Sequence, residues 1–289
     1  MRSTAFCPGH LTGFFQVREH EEIDQTGSRG AGICVSLGAT TTVTASRGRG
    51  KIDVRINGQA DPAPVTKQAI AMLMDSPEHD LMVETQLDLP MRQGFGMSAA
   101  GAFSAALAIC EIIGHEFDDA MRATHQAEIL HRTGLGDVAA LSRGGITFRR
   151  REGIPPHGMI DRIGNDIPLA IAVVGPEIPT ASVLGDESIR KRIDRIGGEC
   201  VSSLEASPSL ANFFRLSTEF SARTGLMTAH VENALESIRD LGSGSMVMLG
   251  NSIFASGDVN RELDILTERY DAYRVSIDWQ GPRVVSSTM

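Results

Sequence analysis

Gly94-Phe95-Gly96-Met97-Ser98-Ala99-Ala100 is the stretch on which the reading of this chain turns. Upstream, Leu81, Val83, Thr85, Leu87 and Leu89 alternate along an expected strand that Pro90 ends. Downstream, residues 98–113 (SAAGAFSAALAICEII) read as a helix closed by Gly114. That helix is apolar nearly all round, which predicts a buried central helix. The first turn of a helix leaves backbone N–H groups without partners, and its macrodipole favours negative charge there. Glycines let the backbone close around an anion, and the Ser98 hydroxyl can bond a phosphate oxygen or ligate Mg²⁺. Two other readings compete with a phosphate cradle. One is a plain glycine turn with Ser98 as N-cap. The other is a dinucleotide turn, because G-x-G-x-x-A matches loosely. A dinucleotide turn should follow a continuous apolar parallel strand; here the strand alternates and residues 90–93 intervene. The segment is not a Walker A loop, since the Lys and its spacing are missing. The cradle is the favoured reading.

Around this segment the first quarter reads as β. Residues 31–46 are rich in Thr, Val and Ile, residues 51–57 alternate, and Gly48-Arg49-Gly50 between them suggests a hairpin. Helices are expected at 66–75 and 118–132, a short one from Asp137, and a strand from Ile146 to Arg149. Residues 151–165 carry Gly153, Pro155, Pro156, Gly158 and Gly164 and form the best linker. Beyond it a strand (167–174), helices (186–203, 208–223, 228–241), strands (245–250, 252–255), a helix (260–269) and a strand (273–279) are expected. This order predicts an α+β half with helices on one side of an antiparallel sheet.

Composition narrows the function. At 42% apolar and 22% charged, 289 residues can bury a substantial core. The net charge of -9 argues against nucleic-acid or anionic-membrane partners. With one Trp and two Tyr there is little material for stacking bases. Cys7, Cys34, Cys110 and Cys200 are widely spaced and read as reduced thiols of a cytoplasmic protein. The N-terminus lacks a signal-peptide pattern, and no apolar run approaches the ~20 residues of a membrane span.

Glu128 and Asp137 supply an acid pair, one late in a helix and one just past Gly134-Leu135-Gly136. A kinase needs one carboxylate for Mg²⁺ and one to accept or orient a hydroxyl proton. On spacing alone Glu128 is equally a solvated helix residue and Asp137 an N-cap. His125, Glu128 and His131 match neither H-E-x-x-H nor H-x-x-E-H.

Pro90-Met91-Arg92-Gln93-Gly94-Phe95-Gly96-Met97-Ser98-Ala99-Ala100 resembles the phosphate loop P-x-x-x-G-L-G-S-S-A-A of the GHMP kinases, with Phe95 for Leu and Met97 for the first Ser. Glu128, Gly134-Leu135-Gly136-Asp137 and Gly144-Gly145 follow in the superfamily's order. Cys7-Pro8-Gly9-His10-Leu11-Thr12-Gly13-Phe14-Phe15 is similar to its first motif, with His10 in place of Lys and without the Gly-Glu-His end. The form P-G-H-x-T-G-F-F, together with residues 27–33 and 244–254, looks like the superfamily's pantoate-phosphorylating, archaeal-type branch. The resemblance implies a ribosomal protein S5 domain 2-like part (1–155) and a ferredoxin-like part (156–289). It implies ATP and Mg²⁺ as cofactors, and pantoate as the acceptor on the way to coenzyme A. It further implies a nucleotide cradle of Gly94, Phe95, Gly96, Met97, Ser98 and Ala99. Ser98 and Glu128 would be metal ligands, Asp137 the base, and His10, Ser28, His125 and Arg149 substrate contacts. A homodimer is expected by the same analogy. Other acceptors (shikimate, homoserine, mevalonate) and a non-catalytic nucleotide sensor are the alternatives.

Overall fold

A computed structural model of the chain describes residues 1–74, 78–178 and 186–288. The first sheet is built on two long strands, β1 (Arg2–Arg18) and β2 (Gly27–Arg47), which pair antiparallel along nearly their whole length. β3 (Ile52–Ile56), β4 (Gln59–Ala60) and β5 (His79–Leu87) extend it in the order β1-β2-β5-β3-β4. Helix α1 (Pro64–Leu73) is the crossover between the parallel strands β3 and β5. Asp75, the last residue of the helix expected at 66–75, lies outside the described residues.

The hairpin expected across Gly48-Arg49-Gly50 does not form. β5 sits between β2 and β3 and pairs with both. Asp80 on β5 accepts from Arg49 N (2.8 Å) and Lys51 N (2.9 Å), so this loop arches over the end of β5.

Helices α2 (Met97–Ile113), α3 (Phe117–His131) and α4 (Asp137–Arg143) follow. As its composition predicts, α2 is buried, packed on β1, β2, α1 and α3. β6 (Ile146–Arg151) pairs with Gly30–Ile33 of β2, and β7 (Met159–Arg162) pairs with β6. The boundary expected at 155/156 therefore falls inside the first sheet, and of the linker expected at 151–165, residues 152–158 are the β6–β7 connection and 159–162 are β7 itself. The sheet also takes in β12 (Arg283–Thr288), which pairs with β1.

The second sheet joins β8 (Leu169–Val173), β9 (Gly242–Val247), β10 (Ser252–Gly257) and β11 (Asp271–Val275) in the order β11-β8-β10-β9, all antiparallel. Helices α5 (Glu187–Ala206), α6 (Leu210–Thr224) and α7 (Ala229–Ile238) connect β8 to β9. Helix α8 (Val259–Thr267) connects β10 to β11. This is a β-α-β-β-α-β split unit, the ferredoxin-like pattern, with extra helices in the first connection. Phe14 and Phe15 of β1 meet Phe213 and Phe220 of α6, and Phe213 stacks on Phe254 of β10. One apolar core thus runs through both sheets. All four cysteines are buried free thiols. Among the described residues, no helix is long and apolar enough to cross a membrane.

One buried carboxyl stands apart from this core. Glu262 of α8 is 1% exposed, and neither of its oxygens has a hydrogen-bond partner. Burial, and then the charge of Asp258, push its pKa from 4.5 up to about 7. Because the folded value lies above the unfolded one, the folded state takes up the proton first. Stability is fully present below the unfolded pKa and is lost as pH rises through the folded one. Relative to the parent, Glu262→Met should gain on the order of 3 kcal/mol between about pH 4.5 and about pH 8. Urea melts at the two pH values check this; a difference that does not change with pH contradicts it.

Candidate active site

Among the described residues, most α-helices open with a side-chain cap. Asp186 accepts from Ser188 N and Ile189 N at α5, Ser209 from Asn212 N at α6, Thr228 from Val231 N at α7 and Asp258 from Arg261 N at α8. At α3, Glu116 N donates to Asp119. Helices α1, α2 and α4 have no side-chain cap: their N-caps are Ala63, Gly96 and Gly136. All three begin on one cavity of about 950 Å³. At α2 the first helical hydrogen bond is Ala100 N to Gly96 O, 2.9 Å, so the N–H groups of Met97, Ser98 and Ala99 precede it. Gly96 itself is left-handed (φ 66°), a conformation that L side chains rarely adopt. The segment therefore presents an open, positively polarised helix end to the cavity, with the half-buried Ser98 on its first turn.

Two distant segments brace this cradle. His10 N donates to Phe95 O (2.9 Å), and Met248 N donates to Thr12 O (2.9 Å). Residues 8–15, 93–97 and 248–250, far apart in the sequence, thus meet at one place. On β1, His10 and Thr12 are two apart and share a face, and both turn toward Asp137.

Asp137 is the first residue of α4, and its side chain is 29% exposed. Its Oδ1 lies 2.8 Å from Nδ1 of His10, which is fully buried. Burial alone would raise the Asp137 carboxyl. The hydrogen bond and charge of His10, then Arg149 and Thr12, outweigh burial and hold it below the usual carboxylate range. His10 is lowered, by burial first; the hydrogen bond and charge of Asp137 oppose this, and Arg149 adds to it. The consistent state is an ionised Asp137 accepting from the Nδ1–H of a neutral imidazole, since an ionised carboxylate can only accept. A Cβ built on Gly96 would stand 3.7 Å from Asp137 Cγ, which sets the carboxylate beside the cradle.

Glu128, on the last turn of α3, is 2% exposed and borders the same cavity. Thr133 Oγ1 donates to its Oε1 at 3.1 Å, while Oε2 has no partner. Burial, and then the charge of Asp137, push its pKa up to about 8. Standing alone, this carboxyl is protonated at neutral pH. A divalent cation on its free oxygen would restore the charged form.

The arginine run 149–151 divides at the sheet: Arg149 is buried, whereas Arg150 and Arg151 are exposed. Arg149 Nε donates to Ser28 O (3.2 Å), and its Nη1 is buried with no acceptor in the protein. A Cβ on Gly136 would come within 2.2 Å of Ser28 Oγ and 3.1 Å of Arg149 Nε, so only glycine lets α4 start this close to them. Ser28, Arg149, Glu128 and Asp137 all line the cavity.

The expected site residues thus gather, with two differences. His10 is fully buried behind Asp137, is not part of the cavity wall and meets the site through that carboxylate. His125 faces away from the cleft, with Nε2 3.2 Å from Ile23 O, and is not part of its wall. Apart from Met91, which falls in the phosphate-loop motif, other wall residues have no motif to announce them. Ile56, Val65, Leu87 and Met91 form an apolar side, and Asp61, Pro62 and Ala63 lead into α1. For Ala63-Pro64 the available signal was Pro at a helix start. Thr12 was within a recognised motif, and its period-two relation to His10 could have marked it.

Residues 65–145 match the GHMP kinases N terminal domain family. Over 261 residues, 87% of this chain and 86% of its relative, the chain is 31% identical to a pantoate kinase of Thermococcus kodakarensis. It is 28% identical over 290 residues to a pantoate kinase of Methanospirillum hungatei, covering 98% of this chain and 96% of that protein. Among solved structures it is similar to a phosphotransferase related to the CoA biosynthesis pathway. The TM-score is 0.89 and the identity 29%, over 98% of each chain.

Proposed function

Because the chain belongs to the pantoate kinases of the GHMP superfamily, we propose that its cleft transfers the γ-phosphoryl group of ATP to the 4-hydroxyl of pantoate. The observation that carries this reading is a conjunction in one cavity. An ionised Asp137 borders the uncapped start of α2, and a buried arginine there has a donor with no acceptor.

The acceptor has one carboxylate, a 2-hydroxyl and a primary 4-hydroxyl. Arg149 offers its unfilled guanidinium donor to the carboxylate, and a charge-assisted pair there fixes the orientation of the molecule. Ser28 Oγ, beside Arg149 and Gly136, is placed to bond the acid's oxygens. The 4-hydroxyl then points to Asp137, which orients it and takes its proton as the O–P bond forms. Phosphoryl transfer passes through a loose transition state in which the nucleophile's proton leaves late. A carboxylate held ionised, even one of low basicity, meets that demand, and His10 keeps it ionised and fixed in place. Met97, Ser98 and Ala99 direct their N–H groups at the phosphates, where charge spreads over the equatorial oxygens during transfer. The apolar wall of Ile56, Val65, Leu87 and Met91 suits a flat base and keeps water from the phosphates.

Mg²⁺ fits the donors present. Ser98 and Glu128 offer hard oxygens, and Glu128 Oε2 is buried with no partner. When bound, Mg²⁺ would neutralise phosphate charge. ATP and a small soluble acid as substrates support a cytoplasmic location.

A panel of pantoate, shikimate, homoserine and mevalonate, assayed by ADP release, tests the reading. Pantoate should give the highest kcat/KM, by about 100-fold or more. A site built to bond both a carboxylate and hydroxyls rejects analogues that leave its polar groups unpaired. Equal rates with homoserine would reassign the acceptor, and no ADP release with any of them would favour a nucleotide sensor.

A further inference from the structure

His20 follows the end of β1, while Glu152 and His157 lie in the β6–β7 connection. None of the three lines the cavity. His20 Nε2 is 2.7 Å from Glu152 Oε1. The His20 and His157 rings meet edge to face with centroids 5.6 Å apart. One ligand atom from each residue lies within 4.8 Å of the other two. The Nε2 of His157 is buried and has no hydrogen-bond partner, although its ring packs against that of His20. An ordinary His–Glu ion pair accounts for two of these side chains and leaves the third unexplained.

Two imidazoles and one carboxylate are a donor set for zinc and its neighbours. Mg²⁺ and Ca²⁺ prefer all-oxygen shells, so the nitrogen ligands disfavour them. Tetrahedral ligands at the usual zinc distances of about 2.0–2.1 Å stand roughly 3.3 Å apart. His20 Nε2 and Glu152 Oε1 would open slightly from 2.7 Å and His157 would close on them, by little more than rotamer adjustments, and all three lie outside regular strands. His20 is 34% exposed, which leaves room for water as a fourth ligand.

We propose that His20, Glu152 and His157 form a zinc-type transition-metal site that clamps the turn after β1 to the β6–β7 connection. These segments already touch: Ile154 N donates to Asp24 O (3.0 Å), and Thr26 Oγ1 bonds the backbone N (2.9 Å) and O (3.0 Å) of His20. Just beyond the clamp, the same two segments carry Ser28 and Arg149. The metal would act as a positioning element for the acceptor side of the cleft, without touching the reacting atoms.

The test uses full-length, tag-free protein stripped with a chelator and titrated with Zn²⁺ or Co²⁺ alone, without nucleotide or Mg²⁺. One ion should bind per chain and raise Tm, and Co²⁺ should give the visible bands of a low-coordinate imidazole site. In a His20→Ala/His157→Ala variant the affinity should fall by roughly 100-fold or more, since even outer-shell changes cost about 10–100-fold. Glu128→Gln, which alters the catalytic cleft, should leave it unchanged. Equal binding in the double variant, loss in Glu128→Gln, or no saturable binding in the parent would overturn the proposal. If the double variant does not fold, imidazole NMR signals of the parent decide. Two histidines, assigned by single His20→Gln and His157→Gln variants, should shift on addition of Zn²⁺. Shifts confined to other histidines would refute the site.

Discussion

Asp137→Asn should lower kcat by roughly 10²–10⁴-fold, the range expected for loss of a general base, while ATP affinity changes little. The asparagine oxygen can still accept from His10 Nδ1, so the substitution removes basicity and charge without emptying the space between β1 and α4. A purely structural Asp137 would leave turnover near that of the parent once the variant is folded. The ADP-release assay at saturating pantoate, paired with calorimetric ATP titration, separates the two. Turnover within a few-fold of the parent would remove Asp137 from the chemistry. A second signature comes from Glu128. The charge of Asp137 helps hold that carboxyl protonated, so the variant's Glu128 should ionise at lower pH, visible as an earlier carboxyl titration.

Arg149→Ala should reduce kcat/KM for pantoate by about 100-fold or more, mainly through KM, with the KM for ATP nearly unchanged. Truncating one partner of a buried charge-assisted pair costs roughly 2–5 kcal/mol. Arg149→Lys discriminates a binding role from a structural one. Lysine keeps the charge but loses the planar fork, so the variant should recover folding and part of the affinity, with KM still about tenfold above the parent. An unchanged pantoate KM in both variants would take Arg149 out of the acceptor site. An equal rise in the KM for ATP would move its role to the donor side.

The cradle was legible in the sequence because its physics is local. Glycines before an apolar helix give an open helix end wherever the chain places it. Spacing alone left Glu128 and Asp137 open, and only their resemblance to the superfamily's motif order marked them; the second sheet was legible through its succession of strands and helices. What escaped was non-local. The run at Gly48-Arg49-Gly50 carries the composition of a hairpin, but Asp80, about thirty residues on, holds the loop open and lets β5 take the central place. Residues 151–165 read as a linker, although Gly153, Pro155, Pro156 and Gly158 lie in the short connection between the paired strands β6 and β7. The resemblance puts His125 at the substrate, but its ring is held elsewhere. The turn at Ile23, which claims its ring, is about a hundred residues away in the chain. Arg149 could not be told from its neighbours by type; β6 is buried through Arg149, where it pairs with Gly30 of β2, and emerges into solvent from Arg150 on.

The uncapped starts of α1, α2 and α4 carry a consequence for how this protein can change. Installing a good N-cap is among the commonest stabilising substitutions, at about 0.5–2 kcal/mol each. At Gly96 a capping side chain would occupy the donors reserved for phosphate, and at Gly136 it would collide with Ser28. Selection for heat tolerance and selection for turnover therefore pull these positions in opposite directions. Lineages that need a sturdier protein must find it elsewhere, as in the helices of the second sheet, whose starts are capped by side chains and lie off the cavity wall.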